Sequence, residues 1–153
     1  MSERFDRFSL AISEISRNWH KLASSEMEKY GLKGPHSIYL STLSRYPDGL
    51  TGPMICDLCG KDKADVSRMM GIMEEKGLVT KESTNRNLYR AIFKLTPEGW
   101  EAANFVVRRG RIAAEIAGRD MDDKTREMFY SYLELISANL RDLCRDGIPE
   151  DTE

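Results

Sequence analysis

The chain has 153 residues, of which 41% are apolar and 31% are charged, and its net charge is −2. This size and apolar content suffice for a buried core in one or two domains, and they exclude a highly charged disordered chain. The near-neutral balance excludes a nucleic-acid binder that is basic overall, but it leaves room for a local basic patch.

The sequence predicts a protein without a membrane span, because no stretch reaches the roughly 18 consecutive apolar residues that a span needs. Three cysteines cannot all pair within one chain, and Met1–Leu10 has no signal-peptide pattern. Both observations favour a reducing compartment, and we expect a cytoplasmic protein.

The N-terminal segment, Glu3–Tyr30, predicts a long helix that ends at Gly31. Its apolar residues recur at alternating spacings of three and four, which places them on one narrow stripe: Phe5, Phe8, Ile12, Ile15, Trp19 and Leu22. A second helix is predicted from about Pro35, and the turn residues Tyr46–Gly49 end it.

The next two helices predict a helix-turn-helix. Thr51 is the N-cap candidate of a short helix, Gly52–Cys59, and a break at Gly60 follows it. Asp62 then opens a helix that runs to about Lys76. Asp62 and Asp65 stand three positions apart, as in a capping box with Asp in place of Glu. Two short helices around a tight turn that contains glycine are typical of a DNA-binding helix-turn-helix.

A change of period after Gly77 predicts a β-hairpin. Leu78–Glu82 and Tyr89–Leu95 are short and rich in strand-forming residues, and a polar, turn-prone segment joins them. Thr96 is then the predicted cap of a helix that runs to about Ala117. Near Asp122 the last helix begins, and its apolar stripe comprises Phe129, Leu133, Ile136, Leu140 and Leu143.

This order of elements predicts a mainly α protein with a small β-hairpin wing: a winged helix-turn-helix flanked by long dimerisation helices. The predicted parts are dimerisation helices in 1–33 and 118–148, a winged domain in 34–99, a connecting helix in 100–117 and an acidic tail in 149–153. The apolar stripes of the first and last helices cannot be buried within single helices, so we expect a twofold homodimer in which they pack together. Such a dimer presents its two recognition helices about one DNA turn apart, roughly 34–36 Å.

Three blocks of the sequence resemble the MarR family of bacterial transcriptional regulators. Leu58–Arg68 resembles the family pattern Leu-Gly-x-Asp-Lys-Ser-Thr-Val-Thr-Arg, Met73–Val79 resembles Leu-Glu-x-Lys-Gly-Leu-Val, and Lys94–Gly99 resembles Arg-Leu-Thr-x-x-Gly. The resemblance implies a homodimeric regulator, most often a repressor, that binds a pseudo-palindromic operator. It also implies a small, often aromatic effector, whose cavity we expect to involve Trp19, His36 and Tyr39. For each of these residues taken singly, interior packing is the alternative interpretation.

Positive charge is concentrated in Lys61–Lys94, which has eight basic and five acidic residues, so that this segment is +3 and the rest of the chain is −5. Lys and Arg there can bind phosphate, and a recognition helix reads base edges with its N-terminal residues. The predicted contacts with double-stranded DNA from the helix-turn-helix are Thr51, Lys61, Lys63, Ala64, Ser67 and Arg68. Ala64 is suited to a thymine methyl group, and Ser67 is suited to a base edge or a phosphate.

The wing is the second predicted DNA contact, through Asn85, Arg86, Asn87 and Arg90, with a basic residue directed to the minor groove. Here the sequence departs from the family, because the usual Asp-Arg pair falls on Asn87-Leu88. Arg86 lies two residues before Leu88 and on the same strand face, so it is the expected substitute.

Two other readings compete with a DNA-binding regulator that has no cofactor. Cys56 and Cys59 form a C-x2-C pair, which is compatible with redox sensing or a metal, but neither a second pair nor paired histidines accompany it. We therefore expect packing cysteines and no metal site. The chain has no nucleophile elbow or phosphate loop, so an enzyme is not expected. A winged helix that binds only protein remains the second alternative.

Overall fold

The structure is a computed structural model that describes residues 2–83 and 91–150. Its helices are α1 (Ser2–Met27), a 3-10 turn (Glu28–Tyr30), α2 (His36–Leu43), α3 (Gly52–Cys59), α4 (Lys63–Glu75), α5 (Pro97–Ala117) and α6 (Asp123–Asp146). Its strands are β1 (Leu50–Thr51), β2 (Val79–Glu82) and β3 (Ile92–Leu95). The predicted fold class, mainly α with a small β-hairpin wing, is confirmed.

The chain divides into two compact units, Met1–Arg111 and Ile112–Glu153, and the division falls within α5. The first unit contains the helix-turn-helix, the sheet and α1. The second contains the last turns of α5 and all of α6. The functional boundaries predicted from the sequence, including the dimerisation helices and the connecting helix, stay predictions.

The sheet has three antiparallel strands in the order β1-β3-β2. The predicted hairpin supplies β2 and β3, with Val79 opposite Leu95 and Glu82 opposite Ile92. The sequence did not predict β1, whose Leu50 pairs with Phe93. Because β1 has only two residues, it is too short for the alternation that marks a strand. Its extended form depends on pairing with β3.

The core of the first unit lies among α2, α3, α4 and the sheet. Tyr39, Leu40 and Leu43 of α2 are almost fully buried, and they pack in one cluster with buried side chains of α3 and α4. The other buried members include Ile55, Cys59, Val66, Met69, Met70 and Met73. The three methionines are therefore core residues of α4, as apolar positions at helical spacing indicate.

Four of the helix caps predicted from the sequence are present. In each of them a side-chain oxygen accepts a hydrogen bond from the backbone N–H three residues later, as an N-cap does. The cap residues are Thr51 (3.5 Å), Asp62 (2.8 Å), Thr96 (2.9 Å) and Asp122 (2.7 Å). These caps start α3, α4, α5 and α6, so local capping residues determine where four helices begin.

The first turn of α5 packs against the backbone at the start of the wing. The Leu78 carbonyl oxygen accepts a hydrogen bond from the Thr96 N–H at 3.1 Å. A Cβ atom built on Gly99 would lie 1.9 Å from the same oxygen. Only glycine therefore fits at this point without a shift of the backbone.

We predict that Gly99→Ala lowers the free energy of unfolding by about 2–3 kcal/mol, because a methyl group cannot share the space of the Leu78 carbonyl. The control is Gly71→Ala in α4, where an added Cβ meets nothing within 4 Å. That variant should be more stable than the wild type by about 0.5–1 kcal/mol. Urea unfolding followed by circular dichroism measures both, and equal stabilities of the two variants would contradict the close approach at Gly99.

Candidate nucleic-acid interface

The turn between α3 and α4 sets the geometry of the helix-turn-helix. Gly60 ends α3 in the left-handed conformation, with φ 61°, and its N–H donates to the Cys56 carbonyl oxygen. Two residues later Asp62 caps α4, so the chain reverses within a very short turn. Ile55 and Cys59 of α3 are buried in the same cluster as Val66 and Met70 of α4. This packing fixes α4 on α3.

One face of α4 is buried, and the residues predicted to contact DNA lie on its exposed side. The predicted α4 residues that are exposed are Lys63, Ala64, Ser67 and Arg68. They lie in the first half of the helix, as the sequence predicted for base contacts. Lys61 is exposed in the preceding turn, whereas Thr51 is half-buried as the cap of α3. The structure thus brings the α4 residues and Lys61 together on one surface.

Asp65 does not close the reciprocal half of a capping box, which corrects that expectation. Its backbone N–H donates to Asp62 Oδ1, but its carboxylate does not turn back to Asp62. Oδ2 accepts from the Tyr39 hydroxyl at 2.5 Å, and Oδ1 accepts from Arg68 Nη2 at 2.5 Å. The capping box failed because a buried tyrosine and a nearby arginine offer this carboxylate two other donors.

The hydrogen bond between Tyr39 and Asp65 shifts the pKa values of these two residues in opposite directions. The bond from Tyr39, followed by the bond from Arg68, lowers the pKa of Asp65. Burial, followed by the bond to the Asp65 carboxylate, raises the pKa of Tyr39. Asp65 is therefore ionised and Tyr39 is protonated at neutral pH. No local sequence pattern indicates this pair, because the two residues stand 26 positions apart.

The wing presents less free charge at its base than the sequence count suggests. Lys94 Nζ of β3 lies 2.8 Å from Glu82 Oε2 of β2, so the positive charge of Lys94 is offset by the carboxylate of Glu82. Lys81 Nζ lies 5.8 Å from the centre of the Phe93 ring. The wing residues predicted to contact DNA, Asn85, Arg86, Asn87 and Arg90, lie outside the described residues.

The three predicted effector residues differ in their surroundings. His36 and Tyr39 lie one helical turn apart on α2, and they are 4% and 0% exposed. Trp19 lies on α1 and is 47% exposed. Burial of His36 and Tyr39 fits both the packing interpretation and the effector interpretation, so their role in effector binding stays a prediction.

His36 carries a buried donor that has no hydrogen-bond partner among the described residues. Its Nδ1 lies 2.7 Å from the Lys33 backbone nitrogen and 3.0 Å from the Lys33 carbonyl oxygen. The shorter contact requires Nδ1 to be the acceptor, because a backbone N–H can only donate. The ring proton is therefore on Nε2, which is buried without a partner. In the same unit the Tyr30 hydroxyl is also buried without a partner, and sequence reasoning missed it. An unpaired buried donor is uncommon, which makes both atoms candidates for ligand contact.

The cysteines favour packing over redox chemistry. Cys59 is buried, and its Sγ lies 3.5 Å from the Thr42 hydroxyl oxygen. Burial raises the pKa of the Cys59 thiol, which disfavours the reactive thiolate. Cys56 is half-buried, Cys144 of α6 is exposed, and all three are free thiols.

Residues 2–83 and 91–150 offer neither a metal site nor a membrane span. No group of three or more His, Cys, Asp or Glu side chains in these ranges could hold a metal ion. In the same described part of the chain, no helix is both long and apolar enough to cross a bilayer.

A protein-family model, described as the MarR family, matches residues 30–87 of the chain. Among solved structures, the chain is similar to a MarR family transcriptional regulator from Listeria monocytogenes complexed with 26mer DNA, with a TM-score of 0.79 and 18% identity over 93% of this chain and 96% of that chain. No curated protein sequence matches the chain significantly.

Two other solved structures are similar over most of their length. A MarR transcriptional regulator from Methanosarcina mazei Go1 has a TM-score of 0.79 and 21% identity, covering 90% of this chain and 92% of that chain. One from Rhodococcus sp. RHA1 has a TM-score of 0.72 and 17% identity, covering 86% and 92%. At these identities the likeness is one of fold.

We predict that the protein loses stability as the pH falls, because burial lowers the pKa of His36 below its ordinary value of 6.5. The native state holds the neutral ring, so His36 adds its full stability above the unfolded pKa. This contribution decreases as the pH falls below about 6.5 and the unfolded chain takes up the proton.

The slope of unfolding free energy against pH from this histidine approaches about 1.4 kcal/mol per pH unit at most. His36→Asn keeps an acceptor near the Lys33 N–H and should flatten the curve between pH 7.5 and 5. His20→Asn removes the exposed histidine of α1 and is the matched control. Urea unfolding at several pH values measures the slopes, and equal slopes for wild type and His36→Asn would contradict the neutral buried ring.

Proposed function

We propose that this chain is a transcriptional regulator of the MarR family, whose model matches its residues 30–87, and that it is a homodimeric repressor that binds a pseudo-palindromic operator. The similarity to regulators of this family supports a transcriptional regulator over an enzyme. The proposal includes a cytoplasmic location and release from DNA by a small effector.

One observation carries the DNA-binding proposal: α4 exposes Lys63, Ser67 and Arg68 in its first half, beside the exposed Lys61 of the turn. A recognition helix enters the major groove with that half and reads base edges there. We infer that α4 occupies the major groove and that Lys61 binds the phosphate backbone. Thr51 caps α3 and is half-buried, so its proposed contact is through the start of α3.

Charge supports the same surface. Lys61–Lys94 is +3 while the rest of the chain is −5, so the chain offers phosphate one favourable segment and repels it elsewhere. The wing contacts proposed for Asn85, Arg86, Asn87 and Arg90 rest on the sequence alone. A winged helix that binds only protein would not need basic residues on the exposed first half of its recognition helix. This makes the protein-binding alternative less favourable. The raised pKa of Cys59 weighs in the same way against the redox alternative at Cys56 and Cys59.

The exposed apolar residues of α1 support the homodimer. Met27 is the only buried residue among those described in α1, although the helix has 26 residues. Large apolar side chains of the predicted stripe remain exposed, with Ile15 at 58% and Trp19 at 47%. Contiguous exposed apolar surface of this kind is typical of a protein interface. We propose that a second copy of the chain covers this stripe, and that α6, which has no buried residue, contributes its own apolar stripe.

The effector proposal rests on two unpaired buried groups. His36 Nε2–H and the Tyr30 hydroxyl have no partner within residues 2–83 and 91–150, so a ligand with acceptor oxygens would satisfy these donors. A small aromatic compound that carries a carboxylate or phenolic oxygen has this chemistry. Trp19 and Tyr39 are the further residues that we propose for its binding.

We predict that Arg68→Ala weakens binding to the operator by about tenfold or more, because it removes an exposed cation from the proposed major-groove face. The slope of log affinity against log salt should become shallower by up to about 1. Fluorescence anisotropy with labelled duplexes at several salt concentrations measures both quantities.

The control for this experiment is Arg119→Ala, which removes the same charge outside the basic segment. Its affinity and salt slope should match those of the wild type. An unchanged affinity of Arg68→Ala would show that this face of α4 does not meet DNA.

We predict that Ile15→Glu converts the dimer to a monomer, because it places an unpaired charge in the proposed interface, at a cost of several kcal/mol. Ile15 is mostly exposed in the single chain, so the substitution spares the core. Arg17→Gln makes the same change of net charge on the other side of α1 and should stay dimeric. Light scattering after size exclusion gives the mass, and a dimeric Ile15→Glu would exclude this stripe as the interface.

A further inference from the structure

Asp65 connects the protein core to the exposed face of α4 through its two carboxylate oxygens. One accepts from the hydroxyl of Tyr39, which is 0% exposed, and the other accepts from Arg68, whose side chain is 68% exposed. The backbone N–H of Asp65 is also engaged, by the Asp62 cap at 2.8 Å. Both carboxylate oxygens and the backbone N–H of Asp65 are therefore engaged, and Arg68 is bound to a residue that cannot move freely.

An ion pair on α6 shows by comparison how the Asp65–Arg68 pair is anchored. Arg145 and Asp142 on α6 have the same spacing of three residues and lie 3.2 Å apart, with side chains 69% and 62% exposed. Arg145 also binds Asp146 at 2.8 Å, but all three side chains are exposed, and exposed ion pairs of this kind hold a side chain weakly. Asp65 is only 24% exposed, and its second oxygen is bound to the core. The Asp65–Arg68 pair therefore has the anchor that the α6 pair lacks.

An acid on this face reduces attraction to phosphate, since its charge offsets that of the neighbouring arginine. The hydrogen bonds from Tyr39 and Arg68 lower the pKa of Asp65 and keep the acid ionised at neutral pH. A phosphate contact would therefore be weakened by Asp65, whereas a base contact depends on orientation. The guanidinium has five N–H donors, and Asp65 engages one nitrogen, so donors remain for a bidentate pair with guanine O6 and N7.

We propose that Asp65 is a positioning residue that orients Arg68 toward a guanine of the operator, and that Tyr39 holds Asp65 in place for this task. The inference rests on the proposed function. Fixing the side chain before binding lowers the entropy lost when the base contact forms, and it disfavours the other rotamers through which Arg68 could reach phosphates. Asp65 thus contributes to discrimination between bases and not to overall affinity.

The test measures base preference position by position. Each G:C pair of an operator selected from genomic fragments is replaced in turn by A:T, and affinities are measured for the full-length protein. Arg68→Ala identifies the position that Arg68 reads, as the one where the wild-type preference of about tenfold or more disappears. Asp65→Asn should reduce the preference at that same position to less than about threefold. Its affinity for a random-sequence duplex should rise, because one negative charge is lost.

Two further variants separate orientation from charge and from folding. Asp62→Asn removes the same charge three residues earlier, and since Asn is an equally good N-cap, α4 should keep its start. This control should gain affinity for random DNA but keep the full guanine preference. Tyr39→Phe removes only the hydroxyl, so it should reduce the preference without a change in affinity for random DNA. Melting temperatures establish whether each variant is folded. If Tyr39→Phe does not fold, the comparison of Asp65→Asn with Asp62→Asn still tests the positioning role of Asp65.

The outcomes distinguish this inference from the proposed function. Full guanine preference in Asp65→Asn, or an equal loss in Asp62→Asn, would overturn the positioning role. If Arg68→Ala binds operator DNA with every base preference unchanged, Arg68 reads no base and the inference is wrong while DNA binding stands. If the wild type binds no duplex at low salt, the proposed function fails, and the positioning role fails with it.

Discussion

The hydrogen bond from Tyr39 to Asp65 is the polar link on which the geometry of the candidate interface depends. Tyr39 is a large, fully buried side chain, and its hydroxyl has to find a partner because an unsatisfied buried hydroxyl is costly. The partner lies on α4, one turn from the cap that starts that helix. The core therefore determines not only that α4 packs on α3 but also how its first turn is oriented.

The rest of α4 follows from this orientation. Apolar packing through Val66, Met70 and Met73 fixes which face is buried, but methionine side chains are flexible and specify rotation about the helix axis weakly. A directional hydrogen bond at the N-terminal end removes that freedom. The exposed residues on the opposite face then have defined positions, which any reading of base edges requires.

The flanking helices are under a different constraint, since they expose apolar surface that the single chain leaves in contact with water. Leu22 of α1 and Leu135 of α6 are both more than half exposed. The free energy of such exposure, about 25 cal/mol for each Å², favours association once enough of these side chains act together. The proposed dimer is thus a consequence of the same hydrophobic effect that forms the core, acting between chains.

The sequence predicted nearly all helices because each begins with a local signal. Caps at Thr51, Asp62, Thr96 and Asp122 depend on atoms three residues apart, which a sequence displays directly. The strand β1 and the Tyr39–Asp65 bond were missed because both depend on residues far apart in the chain. No local pattern encodes such pairings. The same reason explains why the sequence suggested a capping role for the Asp65 carboxylate and not its bond to α2.

The position of His36 gives the proposed effector a physical route to the DNA-binding face. His36 and Tyr39 lie on the same short helix one turn apart, and Tyr39 holds Asp65. A ligand that accepts a hydrogen bond from His36 Nε2 satisfies a donor that is otherwise unpaired, so it binds most tightly to the arrangement of α2 that directs this atom toward it. If that arrangement displaces Tyr39, the hold on Asp65 is lost. Regulation then requires only that the ligand prefer one arrangement over the other, because an effector shifts an equilibrium by no more than its difference in affinity for the two states.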